Sequence, residues 1–333
     1  MTPSAAASAG LAQRAAPELP NHVPLVAASR GEVLESIHYG SAVLLDSHGE
    51  IITALGDQQT RFYPRSALKP LFAVAILRSG LELNGEQIAL AAASHSGSER
   101  HQQVAESTLA AAGLRVADLG NSTDLPYGVA ERASWLANGG TATQLAQNCS
   151  GKHAALVAMC KHNGWATENY LDPDHPLAAA LRDIVEELTE ERITTISTDG
   201  CGTQVYPLTL TALARGFAKL AQAAPETAEG RVAASMRAYP ELVAGEGRDV
   251  TDLMRAVPGA VAKDGFEGIQ AVGLPDGSSL AVKISDGSDR ARMPITIKLL
   301  ASHLGDQTPG ALEDLATSPA MGGGQPVGEL AAL

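Results

Sequence analysis

Two hairpin signals at opposite ends of the chain most constrain its fold. Near the start, "SAVLLD" and "IITALG" flank the turn "SHGE" inside a strand-like segment running from Val23 to Leu55. Near the end, "FEGIQAVGL" and "SSLAVKISD" are separated by "PDG". Between them the pattern is helical. One helix is expected from about Ser66 to Arg78, stopping at Gly80, and another from the N-cap Ser98 to Gly113. A third follows Ser150 and ends near Gly164, and more are expected at 176–191 and 207–224. The segment "DRARMPITIKLLASHLG" reads as a closing helix. Strands first, helices in the middle, then strands and a helix predict an α/β (α+β) fold. Its mixed, mainly antiparallel sheet is assembled from both chain ends, with a largely helical middle region.

The 333 residues suffice for one large domain or two smaller ones, and 45% hydrophobic with 18% charged residues suits a globular core. Residues 1–22 and 305–333 read as flexible tails around a single domain at 23–304. The net charge of −13 disfavours phosphate backbones and anionic membranes, so neither nucleic acid nor membrane is an expected partner. No apolar run reaches bilayer length, and no signal peptide is expected from "MTPSAAASAGLAQRAAPELP". Three cysteines, Cys149, Cys160 and Cys201, argue against a disulfide framework and for a reducing, cytoplasmic setting.

"PRSALKP" at 64–70 carries the first chemistry. Ser66 and Lys69 sit three apart at a helix start, so they share a face. A serine hydroxyl needs a base, and a lysine can serve when its ammonium is destabilised. Free backbone N–H groups at the helix start could hold an oxyanion beside Ser66. Alone, the pair reads first as a capping serine and a surface lysine. Its company adds meaning: "ASHSGSE" at 93–99 offers a second serine, Ser94 or Ser96, and "AKDGFEG" at 262–268 offers Lys263, Asp264 and Gly265. Their order follows that of serine–lysine enzymes, although neither Ser-Asp-Asn nor Lys-Thr-Gly is present. His101, in a polar helical segment, predicts a solvated side chain.

"QNCSGKHAAL" places Cys149, Lys152 and His153 at a helix start, and "STDGCGTQ" places Cys201 in a glycine-flanked loop. Two thiolates and a third donor would suit zinc, while the alternative is two buried thiols at a polar site. Lys152 would need a strongly depressed pKa to ligate; otherwise it hydrogen-bonds or holds a substrate carboxylate. Asp199 is a candidate acceptor for a substrate amino group, and its neighbour Gly200 allows close backbone approach. Cys160 reads as core.

Together, "SRGEVLESIHYGSAVLLD", "PRSALKP", "ASHSGSE", "NCSGKHAA", "STDGCG" and "AKDGFEG" resemble the L-asparaginase group typified by the rhizobial inducible, thermolabile enzyme, over roughly 23–304. The resemblance implies a fold similar to serine β-lactamases and serine-dependent glutaminases, and hydrolysis of L-asparagine to L-aspartate and ammonia. It implies two catalytic pairs, Ser66 with Lys69 and a serine of "SHSG", with Ser94 favoured, paired with Lys263. It implies zinc on Cys149, Lys152 and Cys201, aiding binding more than chemistry. Arg65, His153 and Asp199 would line the site, with Ser96, Gly200 and Asp264 as further substrate contacts. A homodimer is also implied. The rivals are a glutaminase, a β-lactamase or transpeptidase, and a non-catalytic amino-acid-binding protein. Asp264 where threonine is expected counts against a cell-wall substrate.

Overall fold

One long strand organises the sheet. In the computed structural model, which describes residues 19–333, β1 (Val23–Arg30) leads into the thirteen-residue β2 (Val33–Leu45). β3 (Ile51–Leu55) follows, then the small separate hairpin of β4 (Ser197–Thr198) and β5 (Gln204–Val205). β6 (Val261–Gly265), β7 (Ile269–Gly273) and β8 (Ser279–Ile284) form a meander. β9 (Thr317–Gly322) and β10 (Gln325–Ala332) close the chain. The main sheet has the order β6-β7-β8-β2-β1-β10-β9, with β3 also on β2, and its pairings among the described residues are antiparallel. β8 occupies one edge of β2, while β1 and β3 share the other end to end.

The middle of the chain supplies α1 (Lys69–Arg78), α2 (Gly85–Ala91), α3 (Glu99–Ala111), α4 (Val129–Ala137) and α5 (Ser150–His162). It continues with α6 (Pro176–Thr189), α7 (Leu210–Gln222), α8 (Ala228–Ala238), α9 (Pro240–Val243) and α10 (Asp249–Ala256). α11 (Arg292–Leu304) and the short α12 (Glu313–Ala316) lie between β8 and β9. In α1, "KPLFAVAILR" is apolar all round between its first lysine and its last arginine, and a helix of that kind must be buried. Residues 69–77 are buried without a break, as are 150–160 in α5. The expected N-cap at Ser98 is present as a capping box with His101. The sheet from both chain ends and the helical middle region agree with the expected fold class.

Helix α7 packs on β7, β8 and β2, close enough that backbone touches backbone. A Cβ on Gly273 would stand 2.2 Å from the Phe217 carbonyl oxygen. Gly273→Ala is therefore expected to cost about 1–3 kcal/mol through overpacking, read as a lower midpoint in urea unfolding. An unchanged midpoint would mean that helix and sheet are not held this close.

The segment 305–333 corrects the expected flexible tail. Its "TSPAMGGGQPVGELAAL" forms a hairpin turning at Gly323 and Gly324, both at positive φ. β10 then pairs with β1, Val26 opposite Ala332. Pro319 lies on the edge strand, where a missing N–H is tolerated. Of the expected N-terminal tail at 1–22, residues 1–18 lie outside the described residues.

Candidate active site

The turn carrying Ser66 is a 3-10 helix, Arg65–Leu68, running directly into α1, whose second residue is Pro70. Proline is tolerated there because its N–H would have no partner in the helix. Arg65 adopts φ 53°, a left-handed conformation costing a branched-chain-free L residue ~1 kcal/mol or more. Its guanidinium is fastened by Asp199 Oδ1, 2.8 Å from Nε and 2.6 Å from Nη2, and lies 5.3 Å from the Phe266 ring centroid. β6 comes against the same turn, since a Cβ on Gly265 would sit 2.3 Å from the Pro64 carbonyl oxygen. That glycine lets the strand bearing Lys263 and Asp264 reach the Ser66 turn.

Ser66, Ser94 and Asp264 line one small cavity of about 80 Å³, with Tyr127, Asn148 and Phe266 also on its wall. Lys69 and Lys263 are buried beneath, 1% and 0% exposed. Lys69 Nζ donates to Ser94 Oγ at 3.0 Å and to the Ala93 carbonyl at 2.7 Å. Lys263 Nζ donates to the Asp264 carbonyl at 2.9 Å and forms an ion pair with the Asp264 carboxylate. The lysine partners thus differ from the expected pairs: Lys69 holds Ser94 and Lys263 holds Asp264. Spacing along a helix sets where Cβ atoms lie. A long side chain then carries its ammonium to the best acceptors available.

Burial pushes the Lys263 pKa down to about 8, and the Lys69 and Arg248 cations act in the same direction against Asp264. Burial opposes ionisation of Asp264, but the cations of Lys263, Arg248 and Arg292 hold its carboxyl far below the usual range. A neutral amine is the form that can accept a proton, and lower pH removes it. kcat/KM is therefore expected to rise with pH and level off above about 8. Asp264→Asn removes the carboxylate that favours the charged amine, so the rise should move to lower pH. A pH–rate profile of both proteins checks this, and a rise that stays put or moves upward in the variant contradicts it.

Ser96 is buried but faces elsewhere. Its N–H donates to the Ala244 carbonyl, its carbonyl accepts from Gly128, and its Oγ lies against Gly245. His101 is buried rather than solvated: Nδ1 accepts from the Ser98 N–H and Nε2 bonds the Glu241 carbonyl. Burial lowers its pKa to about 4. Gly200 is exposed, and its carbonyl accepts from Ser122 Oγ. Cys160 is core, its thiol pushed up to about 12 by burial.

Cys149, Lys152, Cys201 and His153 form a second cluster, and it corrects the zinc expectation. Lys152 Nζ donates to Cys201 Sγ at 3.1 Å and to Thr203 Oγ1 at 2.6 Å. Burial opposes its charge, but the sulfurs of Cys201 and Cys149 outweigh burial and raise its pKa. An ammonium has no lone pair for a metal. The hydrogen bond between the two sulfurs raises Cys149, with burial adding, and lowers Cys201, helped by Lys152. Lys152 is thus engaged by Cys201 Sγ and Thr203 Oγ1 rather than free to ligate. Among the described residues no group of three or more His, Cys, Asp or Glu could hold a metal ion. These side chains do not fit the expected zinc site. His153 is buried between Tyr170 Oη at 2.8 Å and Thr203 Oγ1 at 3.2 Å, with its pKa lowered to about 4, chiefly by burial. Asn148 connects the two clusters, lining the cavity and accepting from Cys149 Sγ at 3.1 Å.

Sequence alone did not point to Tyr127 and Asn148 on the cavity wall, or to Arg248 behind it, bonded to the Ser94 carbonyl and the Asp264 carboxylate. Asn148 directly precedes Cys149 and could have been included. Nothing local in "GEGRD" or "LPYG" points inward.

A serine hydroxyl held by a buried lysine at a small cavity, with a second buried lysine beside it, defines a class: serine–lysine amidohydrolases. A model of the L-asparaginase II family matches residues 26–332, and the chain belongs to that family. It is an amidohydrolase of the asparaginase type, acting on a small amide substrate. A search among curated proteins finds no match. Among solved structures, the chain is similar to a β-lactamase from Mycobacterium bovis at 15% identity, covering 81% of this chain and 95% of that one, TM-score 0.43. It is also similar to EstCE1, described as a hydrolase with promiscuous acyltransferase activity, at 12% identity, covering 83% and 93%, TM-score 0.42. A third likeness is to Mglu in its tris and glutamate form, at 17% identity, covering 80% and 59%, TM-score 0.35. Among the described residues no helix is long and apolar enough to cross a membrane.

Proposed function

We propose that the protein hydrolyses L-asparagine to L-aspartate and ammonia through an aspartyl ester on Ser66. The supporting observation is the cavity that Ser66 shares with Ser94 and Asp264 above two buried lysines. Ser66 Oγ attacks the side-chain amide carbon. Its proton passes to the lysine pair by way of Ser94, whose hydroxyl Lys69 already holds. Lys263 is the member that gives up its charge nearest neutrality. Backbone N–H groups at the start of the 3-10 helix hold the oxyanion. The C–N bond breaks as nitrogen takes the proton, and ammonia leaves. Water then cleaves the ester and restores Ser66.

The Arg65–Asp199 pair suits an amino-acid zwitterion: the α-carboxylate takes the guanidinium and the α-ammonium takes the carboxylate. Lys152, with His153 and Thr203 behind it, holds the 199–203 loop that carries Asp199. L-Glutamine differs by one methylene, worth only about 1–3 kcal/mol of discrimination. Ammonia release from asparagine, glutamine and no substrate is the test. Faster release from asparagine is expected, and faster release from glutamine would replace the proposed substrate. Three unpaired cysteines fit a cytoplasmic setting, and the family resemblance supports a homodimer.

A further inference from the structure

We propose that Arg248 is a positioning residue that locks the Ser94 loop to the strand bearing Lys263 and Asp264. The proposal rests on the reading of Ser66 and its neighbours given above, and adds to it the residue that sets their spacing.

Three distant segments must meet to build the cavity. The Ser66 turn meets β6 through the backbone contact at Gly265. The Ser94 loop is held along one flank by the end of α9 and the residue after it. Ser94 N–H donates to the Val243 carbonyl at 3.0 Å, and Ser96 N–H to the Ala244 carbonyl at 2.7 Å. The strap passes so close that a Cβ on Gly245, at φ 155°, would stand 2.1 Å from Ser96 Oγ.

Arg248 follows three residues later, just before α10, and its planar fork spans the remaining gap. Nη1 donates to the Ser94 carbonyl at 2.6 Å, and Nη2 to Asp264 Oδ2 at 2.9 Å. Two bonds from one rigid guanidinium fix distance and angle together, which a lysine cannot do. The carboxylate it grips also takes the Lys263 ammonium. The guanidinium lies 4.9 Å from the Tyr127 ring centroid, so the same residue supports a cavity wall. Only 15% of its side chain is exposed, and solvent does little to loosen these contacts.

Charge and geometry can be separated by substitution. Lys263 is faced by Asp264 on its own strand, Lys69 on α1 and Arg248, while Arg292 on α11 reaches Asp264. Arg248→Gln removes both fork and charge. Arg248→Lys keeps the charge and loses the fork.

The test measures kcat, KM and the pH–rate profile for asparagine in the full chain, with thermal melts and Ser66→Ala alongside. Both variants are expected to lose ~10–100-fold in kcat with little change in KM, as misplacement of reacting groups does. The rise of rate with pH should shift upward in Arg248→Gln and stay in place in Arg248→Lys. In Arg248→Ala, added methylguanidinium should restore part of kcat and methylammonium should not. A wild-type kcat in folded Arg248→Gln overturns the proposal, as does a change confined to KM. Should the glutamine variant not fold, a wild-type kcat in Arg248→Lys has the same force. If Ser66→Ala keeps turnover, the nucleophile assignment fails, while the Arg248 series still reports on positioning.

Discussion

Ser66→Ala is expected to lower ammonia release from asparagine at least ~10³-fold, the scale on which removal of a serine nucleophile acts. The fold should be unaffected. Ser66 is half-buried, it lines the cavity, and its hydroxyl has no hydrogen-bond partner among the described residues, so its removal orphans nothing. The melting temperature should match the parent, which makes the loss of rate a statement about chemistry. Ser94→Ala is different, because Ser94 Oγ is one of two acceptors for the buried Lys69 ammonium. A Ser66→Ala enzyme with parental turnover would remove Ser66 from the mechanism and leave Ser94 as the next candidate.

Lys69→Met should lower kcat by ~10²–10⁴-fold, the range in which positioned acid–base groups act. Methionine nearly matches the volume and cannot carry a proton. The change leaves the Ala93 carbonyl and the Ser94 hydroxyl without their donor, at ~1–3 kcal/mol. It also removes a cation near Lys263, and that loss favours the charged form of Lys263. The residual activity should therefore rise with pH at higher pH than in the parent. Rates measured across pH on folded protein check both parts. Undiminished kcat in Lys69→Met would move the base role to Lys263 alone.

Much of the architecture was legible because local rules and long-range packing agree. The two hairpins, the cap at Ser98 and the helix after "PRSALKP" rest on turn residues and periodicity. The final hairpin escaped because its glycines and prolines read as turn and tail, and only pairing with β1 makes them strands. The site was legible as a set of motifs: Ser66, Ser94 and Asp264 do converge. Their partners were not, since a buried ammonium goes to whichever acceptors the fold brings near. Lys152 shows the same limit. Beside two cysteines it could be read as a ligand, and only the approach of Cys201 from a distant loop makes it a hydrogen-bond donor to that sulfur. His101 is polar in sequence and buried in fact because α9 supplies a carbonyl for its ring.

The proposed reaction runs through an aspartyl ester on Ser66. Acid quenching during turnover of asparagine, followed by peptide mass mapping, tests it most directly. A mass increase of one aspartyl group is expected on the peptide containing Ser66, and none in Ser66→Ala. An aspartyl adduct on another residue, or ammonia release with no adduct even under single-turnover sampling, would contradict it.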